Sequence, residues 1–526
     1  MTNRTILTGV AGAAAIWLGF PNDLADMPPL VLLWPVALTL LGFNASNTAA
    51  ALRAGWLCGL CGGTAALYWL TLPVHNVGGL AWPLALPCAV FIAACLSCAN
   101  GLFSCAAHLL RKHPPPLCAF ALALAWYLLE HACARLLGFP WLPLSGALAA
   151  WPLLVQAADL LGAYALGGLW TLASLLCLVF FKSGRCLAFG MALAAALTAY
   201  GAWRLDKNPF TADPAGPQSV SVLMAEGNID QNQKWIPAFQ QASLNAYIRL
   251  TRQGLAALRR KNAPESEKPL VVWPETALPF FFEHTPGYDK AVRELVADSG
   301  CPLLLGAPGR EPSPDGRRRI FNRAFLLAPA ENSARTVGRY DKTHLVPFGE
   351  YLPDWLNFDF LRALLQGVGV YEEGTSGEPL RHEKLAIGML ICYEGIFPWL
   401  AEDRVRRGAN ILVDISNDAW FGNTPAARQH LYLTALRALE QGRWLLRGTN
   451  TGISAVVDHR GRLTMRGGQF TAGTHFARAA LLETASPYSR LAPWIFPAAL
   501  TIFAALTIFA ALPLAGRKGR GECSCL

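Results

Sequence analysis

Four short polar segments, three of them directly following apolar strand-like runs, carry the side chains best suited to covalent chemistry. Residues 385–391 (LAIGMLI) lead into Cys392, Tyr393 and Glu394; residues 269–273 (PLVVW) lead into Pro274, Glu275 and Thr276; residues 410–415 (NILVDI) lead into Ser416, Asn417, Asp418 and Trp420. A fourth stretch, Gly338 to Glu350, adds Lys342 and a second carboxylate. Reactive groups in open α/β folds gather just beyond the C-terminal ends of strands. A cysteine there has the position of a nucleophile on a sharp strand-to-helix turn. Its thiol is only a few per cent ionised near neutrality and needs a base or a nearby cation. A carboxylate in apolar surroundings can be that base, and a lysine can hold a developing oxyanion. Glu275, Lys342 and Cys392 fill these three roles, 67 and 50 residues apart, so only the fold can bring them together. The chemistry they permit is attack by a thiol nucleophile with a base and an oxyanion stabiliser beside it.

Each residue also has a plainer reading. A cysteine ending a strand packs as a small hydrophobe, a glutamate after Trp-Pro is a turn residue, and a lysine is solvated. A Cys/His pairing with His344 or His284 stays open at this point. No pair of His, Cys or carboxylates shows ligand spacing, so no metal is expected.

The elements that must position these residues divide the chain. From about 205 to 488, strands are expected at 219–224, 269–273, 302–306, 323–328, 385–391, 410–415, 453–457 and 476–482, with helices at 237–260, 286–299, 397–407 and 426–446. Continuous Val/Ile/Leu strands separated by helices indicate buried sheets in an α/β fold. The remainder is different. The 526 residues have a mean hydropathy of +0.31, and only 11 of the 79 charged residues lie within 1–203. Eight apolar runs, near 5–20, 28–43, 54–74, 79–108, 117–138, 153–181, 186–203 and 491–512, are candidate transmembrane helices. The reading is therefore a membrane bundle of about seven helices over 1–204, a catalytic block over 205–488, and a final helix with a basic tail over 489–526.

Charge bias sets the orientation. Arg4, Arg53, Arg111, Lys112, Lys182, Arg185 and the tail residues Arg517, Lys518 and Arg520 all fall on one side if the N-terminus is cytoplasmic, with Arg135 the exception. The large block then lies outside. A net charge of +9 arranged this way does not resemble a nucleic-acid surface. Glu130, His131, Arg135 and Asp159 stand near the outer ends of their helices, where they either pair internally or line a route for head groups. Of 14 cysteines only Cys301 and Cys392 fall in the outer block. They form no disulfide framework: either the two pair, or one is kept as a reactive thiol.

Together, the motifs Glu226-Gly-Asn-Ile229, Lys234-Trp235, Trp273-Pro-Glu-Thr276, Tyr340-Asp-Lys342, Pro347-Phe-Gly-Glu-Tyr351, Cys392-Tyr-Glu394 and Ser416-Asn-Asp-Ala-Trp-Phe-Gly422 resemble the nitrilase superfamily. Joined to membrane helices, they resemble its membrane-embedded branch, the apolipoprotein N-acyltransferases. The resemblance implies an αββα sandwich with Glu275 as base, Cys392 as nucleophile, and Lys342 stabilising the oxyanion with a backbone N–H near Tyr393. It implies that Glu350 orients Lys342, that Tyr393 and Glu394 support the nucleophile, and that Trp235 is functionally required. Phospholipid would be the acyl donor and a diacylated apolipoprotein the acceptor, at the lipid bilayer of the bacterial inner membrane with the catalytic block in the periplasm. No cofactor is implied, and a monomer is expected. Trp420 and Phe421 are expected to contact acyl chains, and Trp355, Phe358, Phe360, Leu361, Leu364 and Leu365 to form a lid. The rivals are a membrane-tethered nitrilase-type amidase, in which water resolves the acyl-enzyme, and a transporter or assembly protein with an inactive enzyme domain.

Overall fold

The computed structural model describes residues 2–76, 78–206, 216, 218–260, 268–313, 316–331, 333–353, 358, 369 and 371–511. Trp355, Phe360, Leu361, Leu364 and Leu365 of the expected lid, and the tail cations Arg517, Lys518 and Arg520, lie outside the described residues. The chain forms two compact units, one of residues 1–68, 86–207 and 486–526, the other of 69–85 and 208–485.

The first unit is helical. All eight apolar runs fall on helices, but their lengths differ from a uniform set of spans. Among the described residues five helices are long and apolar enough to cross a membrane: Thr48–Asn76, Trp82–Leu110, Pro115–Leu137, Gly184–Asp206 and Pro487–Phe509. A sixth arises if Pro152–Leu161 and Ala163–Leu178, bent by 118° at Gly162, are taken as one span. Asn3–Gly19 and Pro28–Phe43 are shorter. The polar groups near the helix ends are partnered. Asp159 pairs with Arg204 at 2.9 Å and accepts from the Tyr200 hydroxyl, Glu130 Oε1 accepts from Trp126 Nε1 and Leu144 N, and His131 stacks on Phe496 at 4.3 Å. Internal pairing is what the low dielectric there demands.

The second unit holds two six-stranded sheets. The first contains β1 (Ser219–Glu226), β2 (Leu270–Val272), β3 (Leu303–Pro312), β4 (Arg318–Ala330), β5 (Ser333–Asp341) and β12 (Gly473–Ala480), in the order β12-β1-β2-β3-β4-β5. The second contains β6 (Leu380–His382), β7 (Leu385–Ile391), β8 (Ile411–Ser416), β9 (Leu445–Thr449), β10 (Ala455–Val457) and β11 (Leu463–Arg466), in the order β11-β10-β9-β8-β7-β6. Each has a parallel centre, β1-β2-β3 or β7-β8-β9, flanked by antiparallel strands. The central strands are apolar on both faces because both faces are covered. One face of each sheet meets the other sheet, through Val222, Met224, Val272 and Leu304 on one side and Ile387, Met389, Val413 and Leu446 on the other. The outer face of the first sheet (Leu223, Trp273, Leu305) packs on helices Pro237–Arg260 and Pro286–Ser299, and that of the second (Leu390, Leu412, Leu445) on Pro398–Arg406 and Ala426–Gln441. This is an αββα sandwich.

One expectation needs correction. The helix expected over 426–446 ends at Gln441, because Gly442 takes φ +61° and reverses the chain, and Leu445–Thr449 become β9 instead. Phe280 and Phe282 are buried in the core beneath the first sheet, and Phe281 is half-buried with the Arg310 guanidinium 5.1 Å from its ring centre.

Candidate active site

The parallel strands β2, β7 and β8 end on the same edge of the sandwich, so their following residues converge at the seam between the sheets. Cys392 directly follows β7 and has φ +56°, a left-handed conformation that costs a non-glycine residue on the order of 1–3 kcal/mol. Thr276, next to Glu275 after β2, is held similarly at φ +47°. Such strain persists only where surrounding contacts impose it.

Those contacts run between the sheets. Glu394 is fully buried and accepts the Ile391 N–H at 2.8 Å, which closes the turn carrying Cys392. The same carboxylate accepts from Tyr340 Oη, Thr343 N, Thr343 Oγ1 and His344 N, all on the loop that carries Lys342. In the opposite direction Asn417 N, after β8, donates to Glu275 Oε2 at 2.9 Å. Buried hydrogen bonds to charged groups contribute roughly 1.5–3 kcal/mol each, so the two carboxylates staple the sheets where the reactive groups meet.

At the centre, Lys342 Nζ lies 2.8 Å from Glu350 Oε2 and 3.7 Å from Glu275 Oε1. Asn322 Nδ2 bridges the two carboxylates, 2.6 Å from Glu275 Oε1 and 2.7 Å from Glu350 Oε1. All four side chains are buried. Burial pulls the Lys342 ammonium down, but Glu350, Glu275 and Cys392 outweigh it and hold it above its ordinary value. Burial raises the Glu275 carboxyl, with Lys342 opposing the rise and Glu350 adding to it. Cys392 keeps part of its surface open, yet burial is the largest influence on its thiol and pushes it well up. The Glu275 charge adds to that rise, while Lys342 and a hydrogen bond with Ser416 oppose it. A thiolate is therefore unfavourable beside a charged Glu275.

Cys301 and Cys392 are both free thiols, which removes the pairing alternative. His344 packs against Tyr393 and Phe397 rather than forming a Cys/His pair, and His284 is exposed. The imidazole that does reach Cys392 is His430, whose Nε2 lies 3.1 Å from the Cys392 carbonyl. Tyr393 is buried against Phe397. Trp235 is 43 % exposed beside Ile236 and Phe239, and Phe348 and Phe358 are exposed as well. Trp420 closes over Gly349. Phe421 packs edge-on against Trp69 at 4.9 Å, and Trp69 Nε1 donates to Gln429, so segment 69–85 covers this part of the catalytic unit.

Three contributors had no role in the sequence reading. Asn322 holds both carboxylates; its one sequence signal is a polar residue within the apolar strand IFNRAFLLA, since buried polar groups need partners. Lys234 is buried with Nζ 2.7 Å from Thr276 Oγ1 and 3.4 Å from the Glu275 carbonyl. Burial lowers its ammonium to about 7, with Glu275 partly opposing. Arg447, Asp414, Asp418 and His430 form the third, a fully buried polar cluster behind Cys392.

Comparison with known proteins followed the same division. Residues 233–486 match the carbon-nitrogen hydrolase family, and residues 12–176 match the apolipoprotein N-acyltransferase N-terminal domain. The chain is 34 % identical over 477 residues to the apolipoprotein N-acyltransferase of Geobacter metallireducens, covering 88 % of this chain and 86 % of that protein. It is 32 % identical over 489 residues to the enzyme of the same name from Azotobacter vinelandii, covering 89 % and 88 %. The corresponding protein of Pseudomonas syringae pv. tomato is 32 % identical over 484 residues, covering 89 % and 90 %.

Proposed function

The chain belongs to the apolipoprotein N-acyltransferase family, and from that premise we propose that it transfers an acyl chain from a membrane phospholipid to the N-terminal diacylglyceryl-cysteine of an apolipoprotein. It is an acyltransferase and a membrane protein of bacterial type. The observation that carries the proposed chemistry is one buried cluster. Lys342 lies between Glu275 and Glu350, at the seam where Cys392 ends β7.

Glu275 takes the thiol proton as Cys392 Sγ attacks the donor's ester carbonyl. Lys342 and the Tyr393 backbone N–H stabilise the tetrahedral oxyanion. Collapse breaks the C–O bond, and the lysophospholipid alkoxide leaves with the proton held by Glu275. In the second half the acceptor's α-amine attacks the thioester carbonyl and Glu275 takes the amine proton. Collapse then breaks the C–S bond, forms the amide and returns the proton to Cys392. The donor product leaves before the acceptor reacts, which gives ping-pong kinetics. Glu350 keeps Lys342 charged and oriented, and Glu394 fixes the Cys392 turn. Trp235, Trp420 and Phe421 supply apolar contact for acyl chains, and the exposed Ile236, Phe239, Phe348 and Phe358 suit a bilayer surface. The charge bias supports residues 205–488 as a periplasmic catalytic block between membrane regions 1–204 and 489–526.

The test is intact-protein mass spectrometry of lipid-reconstituted protein with phospholipid and no acceptor. Wild type gains one acyl mass, Cys392→Ser does not, and a diacylated lipopeptide discharges the adduct. If only water discharged it, the protein would be a hydrolase; a reconstituted wild type that never gained the mass would refute Cys392 as nucleophile.

A further inference from the structure

The buried cluster behind Cys392 has a geometry the mechanism above does not use. His430 is fully buried and has partners on both ring nitrogens. Arg447 Nη2 lies 2.9 Å from Nδ1, and the same nitrogen donates to Asp418 Oδ2 at 2.9 Å. A guanidinium can only donate and a carboxylate only accept, so Nδ1 faces one donor, Arg447, and one acceptor, Asp418 Oδ1. Nε2 lies 3.1 Å from the Cys392 carbonyl oxygen, which assigns it as the donor there. Asp418 Oδ1, 3.1 Å from Nδ1, also accepts from Ser416 Oγ, and Asp414 pairs with Arg447 from the other side. The Phe421 ring meets the imidazole edge-on at 6.0 Å. The Arg447–Asp418 pair on Nδ1 and the Cys392 carbonyl on Nε2 hold the imidazole at both ring nitrogens.

The carbonyl that His430 holds belongs to the peptide joining Cys392 to Tyr393. A trans peptide is planar, with its C=O and N–H on opposite edges. Fixing the oxygen against His430 fixes the Tyr393 N–H on the other edge, and hydrogen bonding at the carbonyl polarises the amide and strengthens that N–H as a donor. We infer that His430 is a positioning residue for oxyanion stabilisation, acting through the Cys392–Tyr393 peptide to present the Tyr393 N–H to the charge that develops on acylation. Arg447 and Asp418 serve by holding the imidazole. The inference rests on Cys392 being the nucleophile.

The experiment separates nucleophile from oxyanion. Lipid-reconstituted wild type, His430→Leu, His430→Gln and His430→Asn are compared in two reactions of Cys392: acylation by phospholipid, followed by intact mass, and alkylation by iodoacetamide. Alkylation at a saturated carbon builds no oxyanion. Losing one direct oxyanion donor slows catalysis about 10²- to 10³-fold, and weakening one through a positioning contact should cost on the order of 10- to 100-fold. His430→Leu is expected to lose that much acylation rate while alkylation stays within about twofold. His430→Gln, with an amide N–H at similar reach, should recover most of the rate, and His430→Asn, one bond shorter, should not. If His430→Leu fails to accumulate, the Gln and Asn pair makes the same comparison. Acylation and alkylation falling together would mean that His430 merely holds the turn, and no fall in acylation would mean that it does nothing for the reaction; either overturns the inference while wild type still acylates. A wild type that never acylates overturns the nucleophile assignment and this inference with it.

Discussion

Replacing Glu350 with glutamine tests whether the pair of carboxylates around Lys342 tunes the base. A single Asn322 nitrogen lies 2.6 Å from one carboxylate oxygen and 2.7 Å from the other, so those oxygens are at most about 5.3 Å apart. At an effective dielectric constant of about 20, two like charges at that distance repel by about 3 kcal/mol. Glu350 thus raises the Glu275 carboxyl, in addition to the larger effect of burial. Glu350→Gln removes the charge and retains an acceptor for Lys342 and for the Val346 N–H, which now donates to Glu350 at 2.8 Å. With less negative charge nearby, Glu275 loses its proton more readily and becomes a weaker base. The acid limb of the acylation rate should therefore move to lower pH, and the plateau should fall on the order of tenfold. The assay is the initial rate of acyl-enzyme formation in proteoliposomes between about pH 4 and 8, with Glu378→Gln, an exposed carboxylate paired to Arg407, as control. An acid limb that stays in place, moves up, or moves equally in the control would refute the argument.

Two further substitutions separate stability from chemistry. Glu394→Ala leaves the Ile391, Thr343 and His344 N–H groups without their acceptor, at about 1–3 kcal/mol each, so the thermal midpoint should drop sharply and Cys392 should lose selective reactivity with iodoacetamide. Lys234→Met should do the reverse for stability: a buried ammonium lowered to about 7 costs stability at any pH below its unfolded value, and methionine fills a similar volume without charge. Its melting temperature is expected to rise while acyl transfer falls about tenfold, because the Thr276 clamp beside the base is lost; a lower melting temperature with unchanged turnover would contradict this.

The strands that frame the site were legible because their side chains are apolar on both faces. Leu385–Ile391 forms the strand expected over those residues, and Ser219–Glu226 extends the expected one by two residues. Ser333–Asp341 was not legible: it is the edge strand of its sheet, half exposed, and its alternating Arg, Thr and Gly carry no apolar run. Leu445–Thr449 was hidden because its leucines continue the spacing of the preceding helix, and only the turn at Gly442 separates them. In the membrane region hydropathy locates apolar segments but not the 118° bend at Gly162, which depends on packing. Glu275 and Cys392 could be picked out because each follows a legible strand, where chemistry concentrates, whereas Lys342 follows the illegible Ser333–Asp341 and stood out only by residue type within Gly338 to Glu350. Asn322, Lys234 and His430 could not, since their meaning is a distance to another part of the chain.

The division of the site between two sheets also sets its residues apart, in chain order, from the strand that closes the first sheet. Glu275 and Lys342 follow strands of the first sheet and Cys392 follows a strand of the second. The first sheet is completed only when Gly473–Ala480 pairs along β1, although β1 itself begins at Ser219. A nascent chain that has already delivered all three reactive residues is still without the strand that closes the edge beside β1. Loss of Gly473–Ala480 would therefore bare the β1 edge of the first sheet while leaving Glu275, Lys342 and Cys392 all in the chain.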